Sequence, residues 1–176
     1  MKTHPLPVVE SLEPRLAPAG VIAAIVAGGV LKLTGDAVDN GLTVTEISPD
    51  TLRLTGTGGT LISLSGAAGV ATIDIANVDK GILADLKQGN DTLTISAAAF
   101  SGDVNVQLGI DDNTLTLADL ALGGNLIVNG LNGTDTVSLS GTTLMVNGLT
   151  TINLGDGNNT TNLSPTGVVV FGTGLT

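Results

Sequence analysis

The chain has 176 residues, of which 42% are apolar and 12% charged, with 25 glycines, no cysteine and a formal net charge of −10. That is room for one domain with a continuous core, and a mean hydropathy of +0.44 excludes a disordered polymer. Zero cysteine excludes disulfides, thiolate metal sites and cysteine nucleophiles.

Residues 1–29 differ from the rest. A weakly basic start with Lys2 and His4 is followed by prolines at 5, 7, 14 and 18 and by a small apolar run over 21–26 that ends at Gly28 and Gly29. The run is far shorter than the roughly 20 residues of a spanning helix, so it predicts no membrane insertion; its fit is to an export segment or a solvated tail. The motif Glu-Ser-Leu-Glu-Pro-Arg-Leu at 10–16 resembles the LEPR-type N-terminal segment of planctomycete extracellular proteins, although Ala17 and Pro18 stand where leucines usually follow. The resemblance implies export and a place outside the cell. Expected organisation is therefore an export, sorting or tail segment over 1–29 and one folded domain over 30–176.

From Val30 onward the chain alternates apolar and polar residues in short bursts closed by Gly, Asn or Asp, the period of half-buried strands. The earliest bursts are loosely spaced: Leu52 and Leu54 precede Ile73 and Ile75 by 21, and these precede Leu93 and Ile95 by 20. Strict repetition follows. Asn-Asp-Thr-Leu-Thr-Ile at 90–95 returns as Asp-Asn-Thr-Leu-Thr-Leu at 112–117 and as Thr-Asp-Thr-Val-Ser-Leu at 134–139, each 22 residues on, with a fourth copy 24 residues later at 158–163. Between them, Ile82, Ala84 and Leu86 recur as Val104, Val106 and Leu108 and then as Leu126 and Val128, while Phe100, Leu122 and Leu144 suggest a third short strand per turn.

A period of 20 to 24 residues with strands and tight corners is that of a solenoid whose coils bury their aliphatic side chains only by stacking. The expected fold is all-β: a single-stranded parallel β-helix, right-handed by the rule for parallel crossovers, with about six turns of about 22 residues. Its core is aliphatic by necessity, since the only aromatics are Phe100 and Phe171. The Gly/Asn/Asp/Thr-rich repeats are also similar to those of large planctomycete surface proteins.

Function classes narrow by exclusion. The basic complement is Lys2, Arg15, Lys32, Arg53, Lys80 and Lys87, so no basic stripe or aromatic platform predicts nucleic acid or an anionic membrane surface as a partner. His4, the single histidine, lies in the tail, which leaves no Ser/His/Asp triad and predicts a protein that is not an enzyme. Gly-rich stretches with Asp resemble the calcium-binding nonapeptide repeat, and Asp91, Asp111, Asp112, Asp135 and Asp156 are the candidate calcium ligands. The step of 22 instead of nine, and the stacking order Asp91, Asn113, Asp135, Asn159, fit a hydrogen-bonded corner ladder better, so no cofactor is expected.

Val168, Val169, Val170 and Phe171 form the most apolar strand and suggest self-assembly of like copies head to tail, unless the last turn is covered by the N-terminal segment or its own loop. The expected function is a non-catalytic, secreted or cell-surface structural protein that forms fibres or a surface layer. The alternative is an extracellular adhesin for surface glycans or a calcium-binding module.

Overall fold

The computed structural model of the protein describes residues 20–176. The LEPR-type motif at 10–16, Lys2 and His4 lie outside the described residues. Among the described residues there are fourteen strands and no helix: β1 (Val21–Ala27), β2 (Val30–Thr34), β3 (Gly41–Ser48), β4 (Thr51–Thr57), β5 (Leu61–Leu64), β6 (Thr72–Ala76), β7 (Gly81–Asp85), β8 (Thr92–Phe100), β9 (Val104–Gly109), β10 (Thr114–Leu122), β11 (Leu126–Gly130), β12 (Thr136–Val146), β13 (Thr150–Asn153) and β14 (Thr160–Phe171). The chain is a β-solenoid of about four turns.

The two seven-stranded sheets are ordered β13-β11-β9-β7-β2-β1-β5 and β14-β12-β10-β8-β3-β4-β6, and from β7 onward each coil contributes a short strand to the first and a long strand to the second. The repeat read from sequence is the register. Leu93, Leu115 and Val137 are neighbours on parallel strands, as are Ile95, Leu117 and Leu139. Val104 stands between Ile82 and Leu126, and Val106 between Ala84 and Val128. All of these side chains are buried in one aliphatic cluster, while Thr92, Thr94, Thr114 and Thr116 alternate outward. Inward and outward residues alternate because successive side chains of a strand leave opposite faces.

The expected third strand is the second arm of the long one. Three of the long strands kink at a residue with positive φ: Ala97 at 50° in β8, Asp119 at 53° in β10 and Gly141 at 99° in β12. At this kink the repeat lengthens, because Ala118 pairs with Ser140 while Leu120 pairs with Leu144. The two extra residues of that coil therefore sit at the bend, and they correct the expected alignment: Leu122 has Val146 as its neighbour, and Leu144 has Leu120.

The N-terminal third departs from six uniform coils. β1 and β2 form an antiparallel hairpin, as do β3 and β4, and β6 pairs antiparallel with β4. The first hairpin closes with the two residues Gly28 and Gly29, at φ 60° and 83°, a backbone open to glycine and to few other residues. The second turns through Pro49, whose ring fixes φ, and Asp50 at φ 59°. The loose early spacing is corrected accordingly: Leu52 faces Ile75 and Leu54 faces Ile73 across antiparallel strands, whereas Leu93 and Ile95 rest on Leu42 and Val44. The apolar run over 21–26 lies in strand β1 of the sheet, ahead of the expected domain start at 30, and Ile22 and Ala24 belong to the core.

Candidate functional site: stacked Asp and Asn at one corner

The corner that leads from the short into the long strand carries nearly all the polar residues singled out in sequence. Asn40, Asp91, Asn113 and Asp135 are buried there, at exposures of 3% or less. The side chains of Asp91, Asn113, Asp135 and the half-buried Asn159 each reach one coil back. Oδ1 of Asp91 accepts the Asn40 amide at 2.7 Å, Oδ1 of Asn113 the Asp91 amide at 3.0 Å, Oδ1 of Asp135 the Asn113 amide at 3.1 Å, and Oδ1 of Asn159 the Asp135 amide at 2.8 Å. The side chain thus satisfies a backbone donor that the sharp turn removes from the sheet.

One residue earlier a second ladder runs the other way. The Asn90 amide donates to Oδ1 of Asp39 at 2.8 Å, the Asp112 amide to Oδ1 of Asn90 at 3.0 Å, and the Thr134 amide to Oδ1 of Asp112 at 2.7 Å. In the buried ladder the earlier coil donates; in the exposed one the later coil does.

The opposite corner has a shorter version, in which Oδ1 of Asp103 accepts the Asn125 amide at 2.6 Å and Oδ1 of Asn125 accepts the Leu149 amide at 2.8 Å. At the kink, Oδ1 of Asp119 gathers the Thr142 amide at 2.6 Å, the Thr142 hydroxyl at 2.9 Å and the Thr143 amide at 3.2 Å, clamping the inserted residues. These donors hold the Asp119 carboxyl below its ordinary range.

The buried carboxyls behave oppositely. Desolvation pushes Asp91 up to about 7, with Asp39 and Asp36 adding to the rise against the hydrogen bonds from Asn40. Burial also raises Asp135, with Asp112 adding to it and Asn113 opposing it. Oδ2 of Asp91 and Oδ2 of Asp135 are buried without a hydrogen-bond partner. Oδ1 of Asn40 is buried without a partner too, but the Nδ2 groups of the Asn rungs are satisfied. Nδ2 of Asn113 donates to the Asp111 carbonyl at 2.9 Å, and Nδ2 of Asn40 to the Val38 carbonyl at 2.7 Å, each two residues back. A charged carboxylate has no hydrogen to offer at that position, whereas a protonated one does.

Of the five candidate calcium ligands, Asp91 and Asp135 share the buried ladder but are separated by Asn113. Asp112 belongs to the exposed ladder, and Oδ2 of Asp111 accepts the Gly89 amide at 3.2 Å. Asp156 is exposed in a bridge to Asn132. Among the described residues no three His, Cys, Asp or Glu side chains come together as a metal site. Sequence reasoning missed Asn40, the first rung, because it precedes Asp91 by 51 residues instead of 22. It also missed Asp119, whose partners come from an insertion that breaks the repeat.

Two other surfaces stand out. A shallow groove of about 490 Å³ crosses three coils over Ala99, Ala121 and Met145, with Asp50, Asp79 and Asn147 at its sides. At the end of the solenoid, β14 has β12 on one side and, among the described residues, no strand on the other, and it leaves Leu163 at 48% exposure, Val168 at 57%, Val169 at 39% and Val170 at 37%, with Phe171 half-buried. No protein-family model, curated protein or solved structure matches this chain.

Proposed function

We propose that this chain is a non-catalytic structural protein, secreted or displayed at the cell surface, that assembles with copies of itself into fibres or a surface layer. The observation that carries the reading is the free edge of β14. It presents 12 residues of strand backbone together with Leu163 and Val169 from the core columns, and such an edge is a template for another strand. An acidic exterior on an aliphatic rod suits a soluble element outside the cell, and the LEPR-type motif at 10–16 supports export from a planctomycete-like cell. The polar side chains described above are spent on tying one coil to the next, which favours scaffolding over catalysis. Electron microscopy and light scattering of the purified chain over rising concentration test the reading: ordered assemblies are expected, and dispersed monomers throughout would sink it.

The groove over Ala99, Ala121 and Met145 favours one second reading, an adhesin for a surface glycan, with Asp50, Asp79 and Asn147 as hydrogen-bonding groups. Its test is glycan-array binding, lost on Asp79→Ala. The calcium-binding version predicts a melting temperature that rises in millimolar calcium and falls with a chelator.

A further inference from the structure

Strand direction and register identify which surface of a second copy meets β14. β3 runs parallel to β8 and hence to β10, β12 and β14. β4 is antiparallel to β3, and β6 is antiparallel to β4. Two reversals restore the original sense, so β6, the outermost strand at the N-terminal end, runs in the direction of β14 at the other end.

The columns agree with the directions. Successive neighbours across the long sheet are Ile73, Leu54, Val44, Ile95, Leu117, Leu139 and Leu163. Ile73 and Leu163 are therefore the two ends of one aliphatic column. The backbone is available as well. The Thr160 amide is bonded to the Asp135 carbonyl at 2.9 Å, toward the preceding coil, and alternation along a parallel strand then turns the Thr161 and Leu163 amides off the end.

Charge is distributed to match. In a chain of net charge −10, residues 54–73 and 157–176 contain no ionisable side chain. On β6 itself the single charge, Asp74, is neutralised by Arg53 at 2.8 Å. Among the described residues the other acidic side chains lie outside these two stretches.

Building on the self-assembly reading, we propose that β6 of one copy adds in parallel to the free edge of β14 of another, with Ile73 seated against Leu163, so that the column continues across the junction. The contact is heterologous and open, and it generates a filament with one polarity. A two-fold junction of β14 with β14 is the competing geometry.

The absence of native cysteine makes the test direct. Leu163→Cys and Ile73→Cys chains, mixed in equal amounts under mild oxidation, are expected to give a disulfide-linked mixed pair, with at least ten-fold less linkage in either chain alone. Efficient linkage of Leu163→Cys to itself would overturn the β6 pairing while leaving self-assembly standing. Monomers alone, with no linkage at any concentration, would overturn both. As a second arm, Leu163→Lys and Ile73→Glu are each expected to raise the concentration needed for filaments more than ten-fold, and the double variant to restore assembly because Lys meets Glu across the junction. Failure of the double variant to regain filaments, with its circular dichroism and melting temperature unchanged, would count against the pairing.

Discussion

Asn113 gives both of its amide groups to one atom of Asp135: its backbone N–H and its Nδ2 each lie 3.1 Å from Oδ1. This rung joins two coils and separates the buried carboxyls of Asp91 and Asp135. Replacing Asn113 by Ala removes a donor to Asp135 and the acceptor of the Asp91 amide. A loss of about 2–3 kcal/mol is expected by urea unfolding, since both partners are left buried. Asn113→Asp is expected to be worse at pH 8 than at pH 5, because it stacks three carboxyls in one column.

The raised carboxyls set a pH dependence of definite sign. A group whose pKa is higher in the folded state favours folding when protonated, so the Asp91 contribution is complete below about 4, the ordinary carboxyl range, and is lost as pH rises through about 7. Asp135 acts in the same direction. Asp119 and Asp74 act in reverse: both are lowered, and their contributions disappear as pH falls below the ordinary range. Stability is therefore expected to peak in mildly acidic solution, as melting curves from pH 3 to pH 9 will show.

Asp91→Asn isolates the first of these effects. Its Nδ2 takes the place of the unpartnered Oδ2 and gains the donor that Asn113 already uses on a carbonyl two residues back. The variant is expected to be more stable than the parent by roughly 2–4 kcal/mol at pH 8, with little difference at pH 4. A steep fall in stability between about pH 4 and about pH 7 that persists in the variant would locate the effect elsewhere.

Packing is graded along the column. Leu117 is fully buried between Ile95 and Leu139, and its change to Ala is expected to cost roughly 2–5 kcal/mol. Leu163 in the same column is half exposed, and its truncation is expected to cost under about 1 kcal/mol in the monomer. Amide hydrogen exchange checks the corollary: protection is expected to fall from β10 toward β14.

The corner glycines are set by close approach. A Cβ on Gly133, at φ 134°, would lie 2.0 Å from the Asp111 carbonyl oxygen of the coil beneath. Gly133→Ala is expected to destabilise by about 1–3 kcal/mol, while Gly174→Ala, at φ 126° but with open space, is expected to cost less.

The parallel coils were legible in the sequence because stacking makes sequence period and spatial register the same quantity. A step of 22 places Leu115 on Leu93, and the same step places Asn113 on Asp91. The antiparallel start was not legible by that route, since a hairpin pairs residues at changing separations: Ala27 with Val30, but Ala23 with Thr34. Its signal was local. Gly28-Gly29 between two apolar runs marks a two-residue turn, and the pattern that begins beyond it conceals that β1 belongs to the same sheet. The kink at Asp119 was hidden for a third reason, because inserted residues shift the period at the very place where they bind the clamp.

The two corner ladders have an electrical consequence. In an α-helix every peptide dipole points one way, and the ends accumulate partial charge. Here the bonds that begin at Asn40 and those that begin at Asp39 point in opposite senses along the axis, one residue apart, so each added coil contributes two dipoles that oppose each other. At this corner, lengthening the rod therefore builds up no net dipole, and further rungs can be appended there without a growing field to resist them.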